Sequence, residues 1–191
     1  MNKRSSILQG YRSKENAIRK KLPPLDEILA VYGTIVFVLY GWTSITFSWK
    51  VPSWLYVLSL GEIVSIVSYS LASNLLECTT LLFIFLLLAL LLPSKWLRDK
   101  FIIRASIMTY ILTFWAAAFN LSTLIQLPTT NDLILFAVMA CLTLGMAIMI
   151  AERVSSFRKF LFSLASRLTV FLYLWIPLSA LGILVVVFRV L

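Results

Sequence analysis

The sequence predicts an all-α, polytopic transmembrane helical bundle with basic amphipathic surface segments, and three observations carry that prediction. Of 191 residues, 61% are hydrophobic and 13% charged, whereas soluble domains run at roughly 45–50% apolar and about 25% charged. The stretch from Ser53 to Pro93 holds Glu62 and Glu77 as its only charges, so no water-facing side can be built from it. Finally, the 17 Lys and Arg, against 8 Asp and Glu, gather between apolar runs. That is the pattern left by membrane orientation and by attraction to anionic headgroups.

The same distribution argues against nucleic acid as a partner. Seven basic residues (Lys3, Arg4, Arg12, Lys14, Arg19, Lys20 and Lys21) precede the first apolar run, with one aromatic, Tyr11, among them and no recognisable binding module. The expected partners are instead a bilayer with anionic headgroups at its inner face and a second membrane protein or another copy of the chain. Histidine is absent, which removes the commonest metal ligand and the commonest general base. Cys78 and Cys141 both fall within apolar runs and read as small buried hydrophobes. No metal or cofactor is expected.

Residues 1–25 form a basic cytoplasmic tail, in which Ile7, Leu8, Tyr11, Ile18 and Leu22 recur at one or two helical turns. Both a surface helix and an unstructured tail fit that spacing. Pro23 and Pro24 break the chain, Asp26 is placed to cap the following helix, and residues 26–191 form the membrane domain. Apolar runs span about 27–48, 54–92, 105–126, 133–151 and 168–188, each long enough to cross a core of about 30 Å. The first is too long and starts too far in for a cleaved signal peptide, so it remains as an anchor. Trp42, Trp49, Trp54 and Trp96 lie near run ends, where interface aromatics sit.

The second run decides the topology. A break near Ser73-Asn74 would give six crossings, with eight basic residues on one side and nine on the other. A single net crossing puts the tail, the Lys95–Arg104 segment and the Arg153–Arg167 segment on one side: fifteen basic residues against Lys50 and Arg189. The positive-inside rule prefers the second arrangement. Five crossings are therefore favoured over six, with the amino terminus cytoplasmic and residues 54–76 re-entrant, interfacial or the extension of a long helix. The Arg153–Arg167 segment, with Phe157, Phe160, Leu161 and Leu164 beside Arg158 and Lys159, reads as a helix along the inner leaflet.

Four groups of residues are candidate sites. Ser59, Glu62, Ser65, Tyr69 and Ser73 follow at three- or four-residue steps and form a polar stripe on one helical side. Glu62, Ser65 and Tyr69, with Asn120, are the candidate lining of a polar cavity. A carboxylate held in lipid is costly, and protonation would offset much of that cost; the favoured reading of the stripe is hydrogen bonding to neighbouring helices or the wet side of an interfacial segment. Glu77 reads as the cap of a helix restarting after Ser73-Asn74. Lys95, Arg98, Lys100 and Arg104 are candidate headgroup ligands. Ala137, Cys141 and Gly145 form a small-residue ridge that lets another helix approach closely. Pro177 is expected to kink the last crossing near Tyr173.

No Walker loop, HExxH, GxSxG or acidic metal cluster is present. The expected role is a non-catalytic accessory or scaffold subunit. Two alternatives are a small transporter or channel subunit with a polar path around Glu62, and an enzyme acting on lipid phosphates at the inner face. Leu-rich runs and the basic tail point to a prokaryotic plasma membrane.

Overall fold

The computed structural model describes residues 23–92, 100–123 and 129–190. Six helices follow in order: α1 (Leu25–Val57), α2 (Leu60–Leu91), α3 (Phe101–Thr123), α4 (Thr130–Arg153), α5 (Ser155–Leu168) and α6 (Val170–Val190). α1 to α4 and the Ser155–Arg189 stretch make five helical segments long and apolar enough to cross a membrane. The chain is an all-α polytopic transmembrane bundle. The proposed surface helix of the tail, together with Lys95, Trp96 and Arg98, lies outside the described residues.

The first two helices are longer than the apolar runs suggest. At 33 and 32 residues they extend about 50 and about 48 Å at 1.5 Å per residue. α1 does not stop near residue 48; it absorbs Pro52 and continues to Val57. The chain turns at Leu58 and Ser59, both extended. Ser59 accepts from the Glu62 N–H, and the Glu62 carboxylate accepts from the Ser59 N–H and hydroxyl, each at 2.8 Å. This reciprocal capping box satisfies two otherwise orphaned donors at the new helix end.

From there α2 runs without interruption through Ser73-Asn74, where the sequence suggested a break. Asn74 is buried and exchanges hydrogen bonds with Thr43 of α1, while the Ser73 hydroxyl donates to Glu77 at 3.0 Å. Both polar groups are satisfied on an intact helix, so nothing is gained by unwinding it. At the other expected cap, Pro24 precedes α1 without a side-chain bond, and Asp26 and Glu27 lie within the first turn, where acidic groups suit the helix dipole.

α1 is the hub of the bundle and packs against α2, α3, α5 and α6, whereas α4 packs on α3 and α5. Its Val31, Ile35, Val36 and Tyr40 meet Leu71, Cys78 and Phe85 of α2, Phe101 of α3 and Leu172 of α6. Cys78 is buried as expected; Cys141 is exposed. In lipid, helices associate through close packing and interhelical hydrogen bonds rather than through hydrophobic exclusion. Tyr40 supplies both: its ring lies 4.8 Å from Trp175 and its hydroxyl bonds Ser179 of α6.

Contacts assign the helix ends. The start of α1 meets α3 and α5 through Ala30, Ile102 and Ala165, and the end of α4 joins them through Ala151, Ile107 and Leu161. At the opposite end, the α1–α2 turn lies beside Arg189 near the end of α6. Gly33 is the tightest approach, because a Cβ there would stand 2.9 Å from the backbone of Leu168 and Thr169. Gly33→Ala is expected to cost about 1–3 kcal/mol, as overpacking does. Gly41→Ala, with nothing within 4 Å, is the matched control, and thermal unfolding in detergent micelles compares the two.

Candidate functional site

Three of the four expected cavity residues come together. Glu62, Ser65 and Tyr69 line an open depression of about 390 Å³ with Leu58, Ile66 and Arg189. Asn120 does not join them: it is exposed near the end of α3 and is not part of that lining. Glu62 is also not the mid-membrane carboxylate that its sequence surroundings suggest. It occupies the third position of α2, exposed, accepting hydrogen bonds from Ser59; a carboxylate in that role has no need to be neutral. The missing information was the position of the turn, since an unbroken apolar run hides the helix start.

The expected headgroup cluster is corrected in part. Lys95 and Arg98 lie outside the described residues. Arg104 is hydrogen-bonded to Glu152 of α4, and Lys100 lies 3.7 Å from the same carboxylate. The two cations tie α3 to α4, so neither is held for a headgroup alone.

The small-residue ridge also changes meaning. Ala137, Cys141 and Gly145 are all exposed, and a Cβ added at Gly145 would meet nothing within 4 Å. α4 turns its other side, with Leu144, Ala147, Ile148 and Ala151, to the bundle. Its most apolar stretch contains no buried residue. No helix of this chain is the partner of that ridge among the described residues. Trp115 and Thr143 hold α3 to α4 instead, at 2.9 Å, with Phe136 packed edge-on against Trp115.

The residue that the sequence reading undervalued is Glu77. It stands about 26 Å along α2 from Leu60 and about 21 Å from Leu91. Both distances are shorter than the roughly 30 Å core, so any such slab contained within α2 includes Glu77. The side chain is nevertheless exposed, with Ser73 as its hydrogen-bond partner. Tyr69, Ser73, Glu77 and Thr80, all exposed, follow at four-, four- and three-residue steps and mark one face of the helix. A signal was available: Glu77 has no charged neighbour for fourteen residues before it and seventeen after it.

A larger cavity, of about 550 Å³, lies between α1, α5 and α6, with Asp26, Ser166 and Thr169 among apolar walls that include Tyr173 and Pro177. Pro177 is accommodated inside α6. The Ser166 and Thr169 hydroxyls both donate to backbone carbonyls, of Phe162 and Ser166 respectively.

No protein-family model matches this chain, and comparison with curated proteins and with solved structures returns no match.

The polar contacts inside the bundle can be tested directly. A double-mutant cycle on Thr43→Val and Asn74→Leu is expected to give a coupling of about 0.6 kcal/mol and no more than about 2 kcal/mol, the range of interhelical hydrogen bonds in bilayers. Unfolding of the four variants in mixed micelles measures it.

Proposed function

We propose that this protein is a non-catalytic accessory subunit of a membrane complex, docked to a second membrane protein through the Tyr69–Thr80 face of α2. The observation that carries this reading is the exposed carboxylate of Glu77, which lies inside any slab of about 30 Å contained within α2. An acidic residue at the centre of a spanning helix costs about 2.5–3.5 kcal/mol on insertion scales, and such residues characteristically face a protein interior or a wet cavity. Among the described residues Glu77 faces neither. A neighbouring helix offering a cation or a hydrogen-bond donor would complete its surroundings, as Ser73 does in part.

The orientation belongs to the same proposal. With the α1 amino end cytoplasmic, five crossings would put the tail, the Lys95–Arg104 segment and α5 inside, and the α1–α2 turn and α6 end outside. Fifteen basic residues then lie on the cytoplasmic side against Lys50 and Arg189. α5, whose Leu161, Ala165 and Leu168 are buried while Arg167 is exposed, would lie along the inner leaflet of a plasma membrane.

A second reading has one observation in its favour. The depression brings Glu62, Ser65, Tyr69 and Arg189 to one wall, a polar lining that suits a small transporter or channel subunit. Flux into sealed proteoliposomes separates it from the accessory role.

The docking face is tested by placing a photo-crosslinking residue at Leu76, beside Glu77, and at Leu184 on exposed α6 as control, in native membranes. The expected result is one protein adduct from Leu76, absent from Leu184 and reduced at least fivefold by Glu77→Leu. Lipid adducts alone at Leu76, or a protein adduct indifferent to Glu77→Leu, would overturn the proposal.

A further inference from the structure

Where the start of α3 meets α5, two depressions of about 350 and about 460 Å³ share Ile103, Arg158 and Phe162. They join into one groove. Lys100 and Glu27 stand at one end and Lys159 at the other. Arg158 is half-buried and Lys159 exposed, and among the described residues neither takes part in an ion pair. Among the described residues Glu27 is in no ion pair either. Phe162 follows Arg158 by four residues and Lys159 by three, so ring and cations share one side of α5.

A half-buried guanidinium without a counterion is unfavourable unless an anion reaches it. A phosphate suits it best, because the planar fork of donors matches two phosphate oxygens at once. Glu27 repels an anion from its end of the groove and so favours the Arg158–Lys159 end. The floor is apolar, formed by Ile103 and Phe162, which free phosphate has no use for and an acyl chain does. α5 itself is packed onto the bundle by Leu161, Ala165 and Leu168, leaving its cations at the level where headgroups gather.

We infer that this groove is a specific site for one anionic phospholipid, its phosphodiester held by Arg158 and Lys159 and its chain lying on Ile103 and Phe162. Among the described residues the site shares only Lys100 with the cluster expected from sequence, since Arg104 is engaged by Glu152 and takes no part in the groove lining. It is also independent of the docking face on α2.

The test uses the full chain in neutral detergent. Melting temperature is followed against dioctanoyl phosphatidylglycerol, dioctanoyl phosphatidylcholine and inorganic phosphate. Saturable stabilisation by the anionic lipid alone is expected. Each surface cation contributes about fivefold in affinity, so Arg158→Gln with Lys159→Gln weakens binding by about 25-fold. Arg153→Gln with Arg167→Gln, the same loss of charge elsewhere on this end of the protein, leaves it within about twofold by the same argument of locality. Lys159→Gln alone, at an exposed position, is expected to weaken binding about fivefold and keeps the test independent of any folding defect at Arg158. Three results overturn the inference: equal stabilisation by phosphatidylcholine, equal stabilisation by inorganic phosphate, or equal weakening by the control pair.

Discussion

The turn at Leu58-Ser59 sets the register for everything after it. A bilayer offers no partner to unsatisfied backbone groups, so a chain that leaves one helix and starts another must close its ends locally. Here the Leu58 N–H returns to Trp54, and Ser59 and Glu62 cap each other. With that start fixed, α2 can run 32 residues in one piece. Asn74 then falls opposite Thr43 and Gly182 opposite Ser68, and Glu77 falls on the outside, well away from either end of α2. A turn placed at Ser73-Asn74 would break the Thr43 pairing and send the rest of the chain to the opposite side of the membrane.

The same constraint sorts the polar side chains by role. Several buried ones are engaged between helices, as with Tyr40 and Ser179, or return to their own backbone, as Thr34 and Thr109 do to the carbonyls four residues earlier. Charges near helix ends pair across the bundle, as Glu152 does with Arg104 and Lys100. Among the described residues, two sets take part in no ion pair and bear on function: the carboxylate of Glu77, away from either helix end and bonded by the Ser73 hydroxyl, and the cations Arg158 and Lys159 on α5. Their depths differ, and so do the partners that suit them. Lipid tails cannot relieve a carboxylate, whereas lipid headgroups relieve cations readily.

Much of the fold was legible because hydrophobic length and charge placement are one-dimensional properties. The five spans and the amphipathic Ser155–Leu168 helix follow from them. Helix boundaries inside an unbroken apolar run are not one-dimensional: the first run ends near residue 48 by hydropathy while the helix continues through Pro52 to Val57, and Ser73-Asn74 looked like a break and was satisfied by Thr43 across the interface. For the site, the grouping of Glu62, Ser65 and Tyr69 was readable from helical periodicity. The role of Glu62 was not, because it depends on where α2 begins. Nor was the outward direction of Ala137, Cys141 and Gly145, because a small-residue ridge has the same spacing whether a helix of the same chain or none lies against it.

The most direct measurement is labelling by a membrane-impermeant thiol reagent in sealed right-side-out vesicles, with Cys78 and Cys141 replaced and single cysteines at Ser59, Thr129 and Val154. These are the turn between α1 and α2, the start of α4 and the junction of α4 with α5. An uninterrupted α2 with the amino end inside predicts labelling at positions 59 and 129 and protection at 154 until the vesicles are opened. Labelling at 154 with protection at 129 would mean that the 60–91 stretch does not cross once. It would contradict the account of the turn and, with it, the placing of Glu77 within the membrane core.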